Sequence, residues 1–231
     1  MRMGLGYSKF EIELTEDFIR SIRNNEDDEE VLQVMRHHPF VVNALTSSGE
    51  LALCVALEAG NSHLVREILK CDSFRPEIKS ELDGSTYIMR ACQCTLHPAL
   101  AVEIVSVILA KKPKLLKEVC SENGWTALHY CAAHDVADMA EFLLSFDRDL
   151  VATTDHMGQS ALHVASVRGS YAVCKLLLSG YYCIYTSDTE ESAQSYSSQN
   201  RDKEFNRAED LATTLDIEAL FRAHKSSMDK P

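Results

Sequence analysis

No apolar run of 18 or more residues occurs in this chain. A transmembrane helix, which needs about 20 such residues, is therefore not expected. The opening Met-Arg-Met-Gly-Leu-Gly-Tyr-Ser-Lys-Phe lacks the long apolar core of a secretory signal. Gly4 is not the second residue, so myristoylation is not expected either. Basic residues are in deficit: 23 Lys and Arg stand against 35 Asp and Glu, a formal net charge of −12. Phosphate neutralisation requires clustered cations, so this balance argues against direct nucleic-acid binding. It also disfavours docking on anionic lipid. A basic or mixed protein surface suits it better, although acidity mostly reports solubility.

The eight cysteines form no framework. Cys92-Gln93-Cys94 is too tight for a zinc pair, and no matching second pair follows. Cys54, Cys92, Cys131 and Cys174 fall inside apolar helical patterns, where a thiol behaves as a small hydrophobe. A reducing compartment, cytoplasmic and also nuclear, is the expectation. Dinucleotide and Walker-type phosphate loops, the Gly-x-Ser-x-Gly elbow and His-Glu-x-x-His are all missing. Nothing in the chain argues for an enzyme, and no catalytic, cofactor-binding or metal residue is assigned.

What the chain does have is a repeat. Gly-Trp-Thr-Ala-Leu-His-Tyr-Cys-Ala at 124–132 aligns without a gap on Gly-Gln-Ser-Ala-Leu-His-Val-Ala-Ser at 158–166, a shift of 34 residues. The same frame recurs more loosely from Gly49 and from Gly84. Each Gly is followed by two helical patterns, and neither helix can hide its apolar positions without a neighbouring unit. Before Gly49 lies an atypical helix pair, starting near Thr15 and restarting after the acidic run Glu26–Glu30, which suits a capping unit. Residues 1–14 read as an extended lead-in. Units follow near 15–45, 46–80, 81–120, 121–153, 154–185 and 204–225, with a polar, flexible insertion at 186–203 and a tail at 226–231. The last unit is expected to pair a helix at 208–212 with one around 217–221.

At Thr126-Ala127-Leu128-His129 and Ser160-Ala161-Leu162-His163 the chain resembles the ankyrin repeat family, whose unit of about 33 residues carries Thr-Pro-Leu-His-x-Ala. Ala52, Ala127 and Ala161 stand where the family has Pro; Ala is a strong helix former, so the change is tolerable. The resemblance implies an all-α fold: an ankyrin-type repeat solenoid of about five to six helix pairs with short hairpin tips. It implies that Leu128 and Leu162 lie in the core, and that Thr126 with His129, and Ser160 with His163, bond around their helix starts. It further implies a non-catalytic protein–protein interaction module or adaptor that binds through a concave face of hairpins and inner helices. The alternative weighed is an inhibitor masking a transcription factor; an unrecognised enzyme ranks below both.

The histidines of the repeat occupy its structural position, so a metal or catalytic role is not preferred. Cys131 and His134, three apart on a helix, are close enough to meet, but a reactive thiol needs an exposed, electropositive setting. The acidic run Glu26–Glu30 reads as a solvated turn, and Ser187–Ser192 as a plain loop, ahead of docking or phosphorylation roles. The partner-binding candidates lie beside the structural positions. In the third unit they are Asp83 and Ser85. In the fourth they are Glu122, Asn123 and the lone Trp125, with His134 at the end of the first helix. In the fifth they are His156, Met157 and Gln159, with Arg168 at the helix end. Trp is enriched at binding hot spots, and Met supplies an adaptable apolar contact. The expected partner is another protein, with no direct nucleic acid, no membrane insertion and no cofactor.

Overall fold

The computed structural model describes residues 8–47, 49–80, 83–179, 202–203 and 206–228. All of its regular elements are helices, joined by turns and by isolated antiparallel bridges at Leu45–Leu51, Lys79–Thr86 and Thr154–Ser160. The chain divides into two compact units, residues 1–115 and 116–231.

In the first unit, α1 spans Lys9–Arg23 and α2 spans Asp28–His37. Helix α1 begins inside the segment expected to be an extended lead-in. The cause is a reciprocal cap: Ser8 Oγ accepts the Glu11 amide, and Glu11 Oε2 accepts the Ser8 amide at 2.7 Å. Such a box satisfies two amides that a helix start otherwise leaves unpaired. It lies N-terminal to the apolar stripe of Phe18, Ile19 and Ile22, which is why periodicity alone placed the start too late. Helices α3 (Ala52–Glu58) and α4 (Ser62–Lys70) form the next pair, and α5 (Tyr87–Ala91) and α6 (Pro98–Lys111) the third. The first helices pack in series, α1 on α3 and α3 on α5, while α4 packs on α6. Pro98 starts α6 at its first position, where the missing amide costs nothing. The Thr-to-His cap of the repeat is rebuilt here in different chemistry. Thr86 accepts the Met89 amide, and the Met89 sulfur accepts the Thr86 amide at 3.4 Å.

The second unit contains α7 (Ala127–His134), α8 (Ala137–Phe146), α9 (Ala161–Arg168), α10 (Tyr171–Leu178) and α11 (Leu215–Met228). Helix α7 packs along α9, α8 against α10, and α10 against α11. Two expectations fail at the end of the chain. Residues 208–211 form turns in place of the expected helix, and the helix Leu215–Met228 continues through residues expected to be tail. Arg207 and Asp210 close the turn, with the Arg207 amide on the Asp210 carboxylate at 2.9 Å. The expected insertion falls outside the described residues over 186–201, whereas Asp202 and Lys203 belong to a sixth hairpin tip, where the Asp202 amide donates to the Asn206 carbonyl.

The core is continuous aliphatic packing within each unit. Leu128 is fully buried where α9 covers α7, but Leu162 is only half-buried. The helix that would have covered α9 in the same way is replaced by the 208–211 turn. Tyr87 is the one large core side chain of the first unit with a polar tip and no bond among the described residues: its ring is 1% exposed and tilts against Phe74, and its hydroxyl is unpartnered. Burial also pushes that phenol far above its ordinary pKa. An unpaired buried hydroxyl costs about 1–3 kcal/mol. Tyr87→Phe keeps the ring and removes the orphan, so it should raise the unfolding free energy by roughly 1 kcal/mol. Denaturant titration checks this, and a destabilised variant would mean that the hydroxyl has a partner.

Candidate functional site

The second unit presents three successive hairpin tips, and each is built by a side chain bonding its own backbone. In the fourth repeat the Cys120 amide meets the Trp125 carbonyl at 2.9 Å, and Asn123 Oδ1 accepts the Trp125 amide at 2.8 Å. In the fifth, Asp155 Oδ1 accepts the amides of Met157 and Gln159, both at 2.8 Å. In the sixth, Asp202 Oδ1 accepts the Asn206 amide at 2.8 Å. Asn and Asp favour turns for this reason. The tips are then joined. The His156 amide donates to the Asn123 carbonyl at 3.0 Å, and the Lys203 amide to the Met157 carbonyl at 2.9 Å. Gly124 has φ +79°, and a Cβ there would lie 2.6 Å from the His156 ring. Only glycine satisfies both the left-handed backbone and that close approach.

Beneath the tips, His129 ties one repeat to the next. Its Nδ1 lies 3.2 Å from the Thr126 amide and 2.9 Å from Thr126 Oγ1, while its Nε2 lies 3.0 Å from the Gln159 carbonyl. A ring nitrogen facing a carbonyl must donate, so Nε2 carries the proton and Nδ1 accepts. Burial lowers the His129 pKa, against the opposing pull of the Gln159 carbonyl and Asp155. Ser160 repeats the cap on His163 Nδ1 at 2.8 Å. Trp125 completes this layer. Its Nε1 donates to Asp155 Oδ2 at 3.1 Å, and its ring stacks on His129 at 6.4 Å and meets Tyr130 edge-on at 5.2 Å.

These contacts sort the ten candidate residues. Ser85 is a correction: it is fully buried, and its Oγ accepts from Arg90 Nε at 3.0 Å, so it belongs to the scaffold of its tip. Asp83 is half-buried, accepting the Ser85 amide and pairing with Arg90 at 3.3 Å. Asn123, Trp125 and Gln159 are half-buried and engaged in the hairpin network, with Gln159 Nε2 reaching Asp202 at 3.2 Å. Glu122, His156 and Met157 are exposed at the tips, and His134 and Arg168 are exposed at the helix ends. Sequence reasoning missed the sixth tip. Its signal was present as an acidic residue four positions before an amide side chain, Asp202 to Asn206, repeating Asp155 to Gln159. Cys131 is fully buried and so closed to any substrate, and burial pushes the Cys174 thiol up to about 12. Among the described residues no three His, Cys, Asp or Glu side chains are placed to hold a metal ion.

A family profile described as ankyrin repeats, in three copies, matches residues 96–188. Those residues are ankyrin repeats. Human Inversin is 40% identical over 76 residues, 33% of this chain and 7% of Inversin. The Saccharomyces cerevisiae protein named Target of rapamycin complex 2 subunit AVO2 is 33% identical over 78 residues, 32% of this chain and 18% of that protein. The chain thus spans less than a fifth of each of these relatives. Among solved structures, a chain from the complex of the Bd0816 predatory endopeptidase of Bdellovibrio bacteriovorus with immunity protein Bd3460 superposes with a TM-score of 0.62. The match covers 92% of this chain and 97% of that one at 17% identity, and it shows the fold alone. In ankyrin terms, the Thr126–His129–Gln159 bridge is the joint between two of the repeats.

The buried imidazole makes that joint sensitive to pH. Unfolded, His129 should titrate near its ordinary value of about 6.5; folded, it titrates lower. Between those two values the unfolded chain binds a proton that the folded chain refuses. The stabilisation is therefore complete above about pH 6.5 and is lost as pH falls toward the folded pKa. The stability gap between the wild type and His129→Gln should narrow from about pH 7.5 to about pH 5, measured by denaturant unfolding. A gap that is constant over that range would show that the ring is not held neutral.

Proposed function

We propose that this chain is a non-catalytic module that holds a partner protein on the hairpin tips and adjoining helix ends of its second unit. One observation carries the reading. The tip backbones are tied by side chains and to one another, yet Met157 stands 50% exposed beside exposed His156. A rigid frame carrying an apolar side chain into water pre-organises a contact and lowers the entropy lost on binding. Ankyrin repeats generally serve protein–protein interaction, and AVO2 is by its name a subunit of a complex. Trp125 has a divided role here. Its indole N–H is committed to Asp155, so it supports the face, while the half-buried ring leaves part of its surface open to a partner.

Met157→Glu tests this without cutting the network, because only the Met157 backbone takes part in the tip bonds. Affinity capture followed by mass spectrometry should lose the specific partners of the wild type, while the unfolding free energy stays within about 0.5 kcal/mol, as for other surface changes. Equal recovery of the same partners by both chains would remove the hairpin face as the binding site.

A further inference from the structure

The sulfur atoms of the described residues are unevenly shielded. Met89 and Met139 are each 1% exposed and Met35 is buried, whereas Met157 is 50% exposed in the fifth tip. The turn 155–158 holds it there, closed by the Gly158 amide on the Asp155 carbonyl at 3.0 Å. The Met157 amide donates to Asp155 Oδ1, and its carbonyl accepts the Lys203 amide, so the residue is fixed through its backbone. Met89 is the reverse case. Its sulfur accepts the Thr86 amide within a helix cap and is sealed from solvent. Cysteine competes weakly for an oxidant here, because a thiol reacts as its thiolate. Cys92, Cys94, Cys120, Cys131 and Cys174 are buried, and desolvation pushes the half-buried Cys54 thiol up to about 12. Cys71 is half-buried, with its Sγ 3.0 Å from Ser73 Oγ.

We propose that Met157 is a reversible oxidation site, and that its sulfoxide switches off the partner-binding face described above. The inference rests on that protein-binding reading and adds its regulation. The oxidant is hydrogen peroxide. The thioether sulfur gives up two electrons, an S–O bond forms as the peroxide O–O bond breaks, and the second oxygen leaves as water. The product is a polar, chiral sulfoxide where an apolar side chain stood. A partner that buries the thioether must then desolvate a polar oxygen instead. The tip itself loses nothing, since its bonds run through the Met157 amide and carbonyl and not through the sulfur. A fixed backbone carrying a free sulfur is what separates Met157 from Met89, whose sulfur holds a structural bond. Reversal requires a sulfoxide that a reductase can enclose, and an exposed turn offers one.

The full chain is treated with limiting hydrogen peroxide, the peroxide is removed, and sulfoxide at each methionine is read by peptide mass spectrometry. Met157 should be oxidised well ahead of Met35, Met89 and Met139, a gap that closes in denaturant, while the unfolding midpoint of the oxidised chain stays that of the wild type. The oxidised chain should then recover roughly tenfold less of the partners that the wild type holds and Met157→Glu loses, about the burial of half such a side chain. Methionine sulfoxide reductases A and B with a dithiol should restore that recovery as the Met157 sulfoxide disappears. Cys71→Ser should respond to peroxide as the wild type does. Oxidation of Met157 no faster than of the buried methionines overturns the proposal. So does undiminished recovery by the oxidised chain, or loss of the response in Cys71→Ser. Each of these leaves the protein-binding reading standing. That reading fails separately, if Met157→Glu captures the same partners as the wild type, and the switch falls with it.

Discussion

The buried imidazole of His129 joins the fourth repeat to the fifth. His129 accepts from the start of its own helix and donates to the Gln159 carbonyl of the following hairpin, so the cap of α7 and the position of the next tip are one network. The geometry requires a neutral ring with the proton on Nε2. Burial enforces that state, because the hydration a charged imidazole would lose here outweighs what the Gln159 carbonyl and the Asp155 charge return. Trp125 lies over the same ring and reaches Asp155, the residue that builds the fifth tip. Helix capping, turn geometry and repeat stacking thus meet within a few ångströms.

The consequence is a division of labour between backbone and side chains. Asn123, Asp155 and Asp202 spend their polar atoms on local amides, and the tips are bonded to one another through main-chain groups. Once those groups are satisfied, the side chains between them have no structural duty. Glu122, His156 and Met157 project for that reason, not because the loop is loose. The first unit solves the capping problem with other materials. Met89 sulfur takes the place of the imidazole on Thr86, and a Ser8–Glu11 box starts the first helix. A thioether is a weak acceptor, so this cap relies more on apolar packing around α5, where Tyr87, Ile88 and Met89 are all buried.

Much of the fold is legible in sequence because repetition turns weak local signals into strong ones. A Gly followed two residues later by Thr or Ser, and three after that by His, says little once; two copies in register 34 residues apart specify a turn, a cap and a helix start. The same alignment located the tips and helix ends from which Met157, His156, His134 and Arg168 project. It failed where the chain leaves the repeat. The Ser8–Glu11 box lies outside the apolar period, and 208–211 looks helical by composition yet forms turns. Alignment also assigns a position but not its burial, which is how Ser85 entered the set of candidate contacts although Arg90 and the hairpin enclose it.

The sequence by itself determined the all-helical repeat and the residue types at each cap, since these depend on spacing along one strand of chain. Only the tertiary structure decided which polar atoms are already committed. Trp125 and Asp155 are 30 residues apart, as are His129 and the Gln159 carbonyl, and their bonds exist only because neighbouring repeats stack. Which side chains remain available for a partner is a property of those long-range contacts, and no local pattern encodes it.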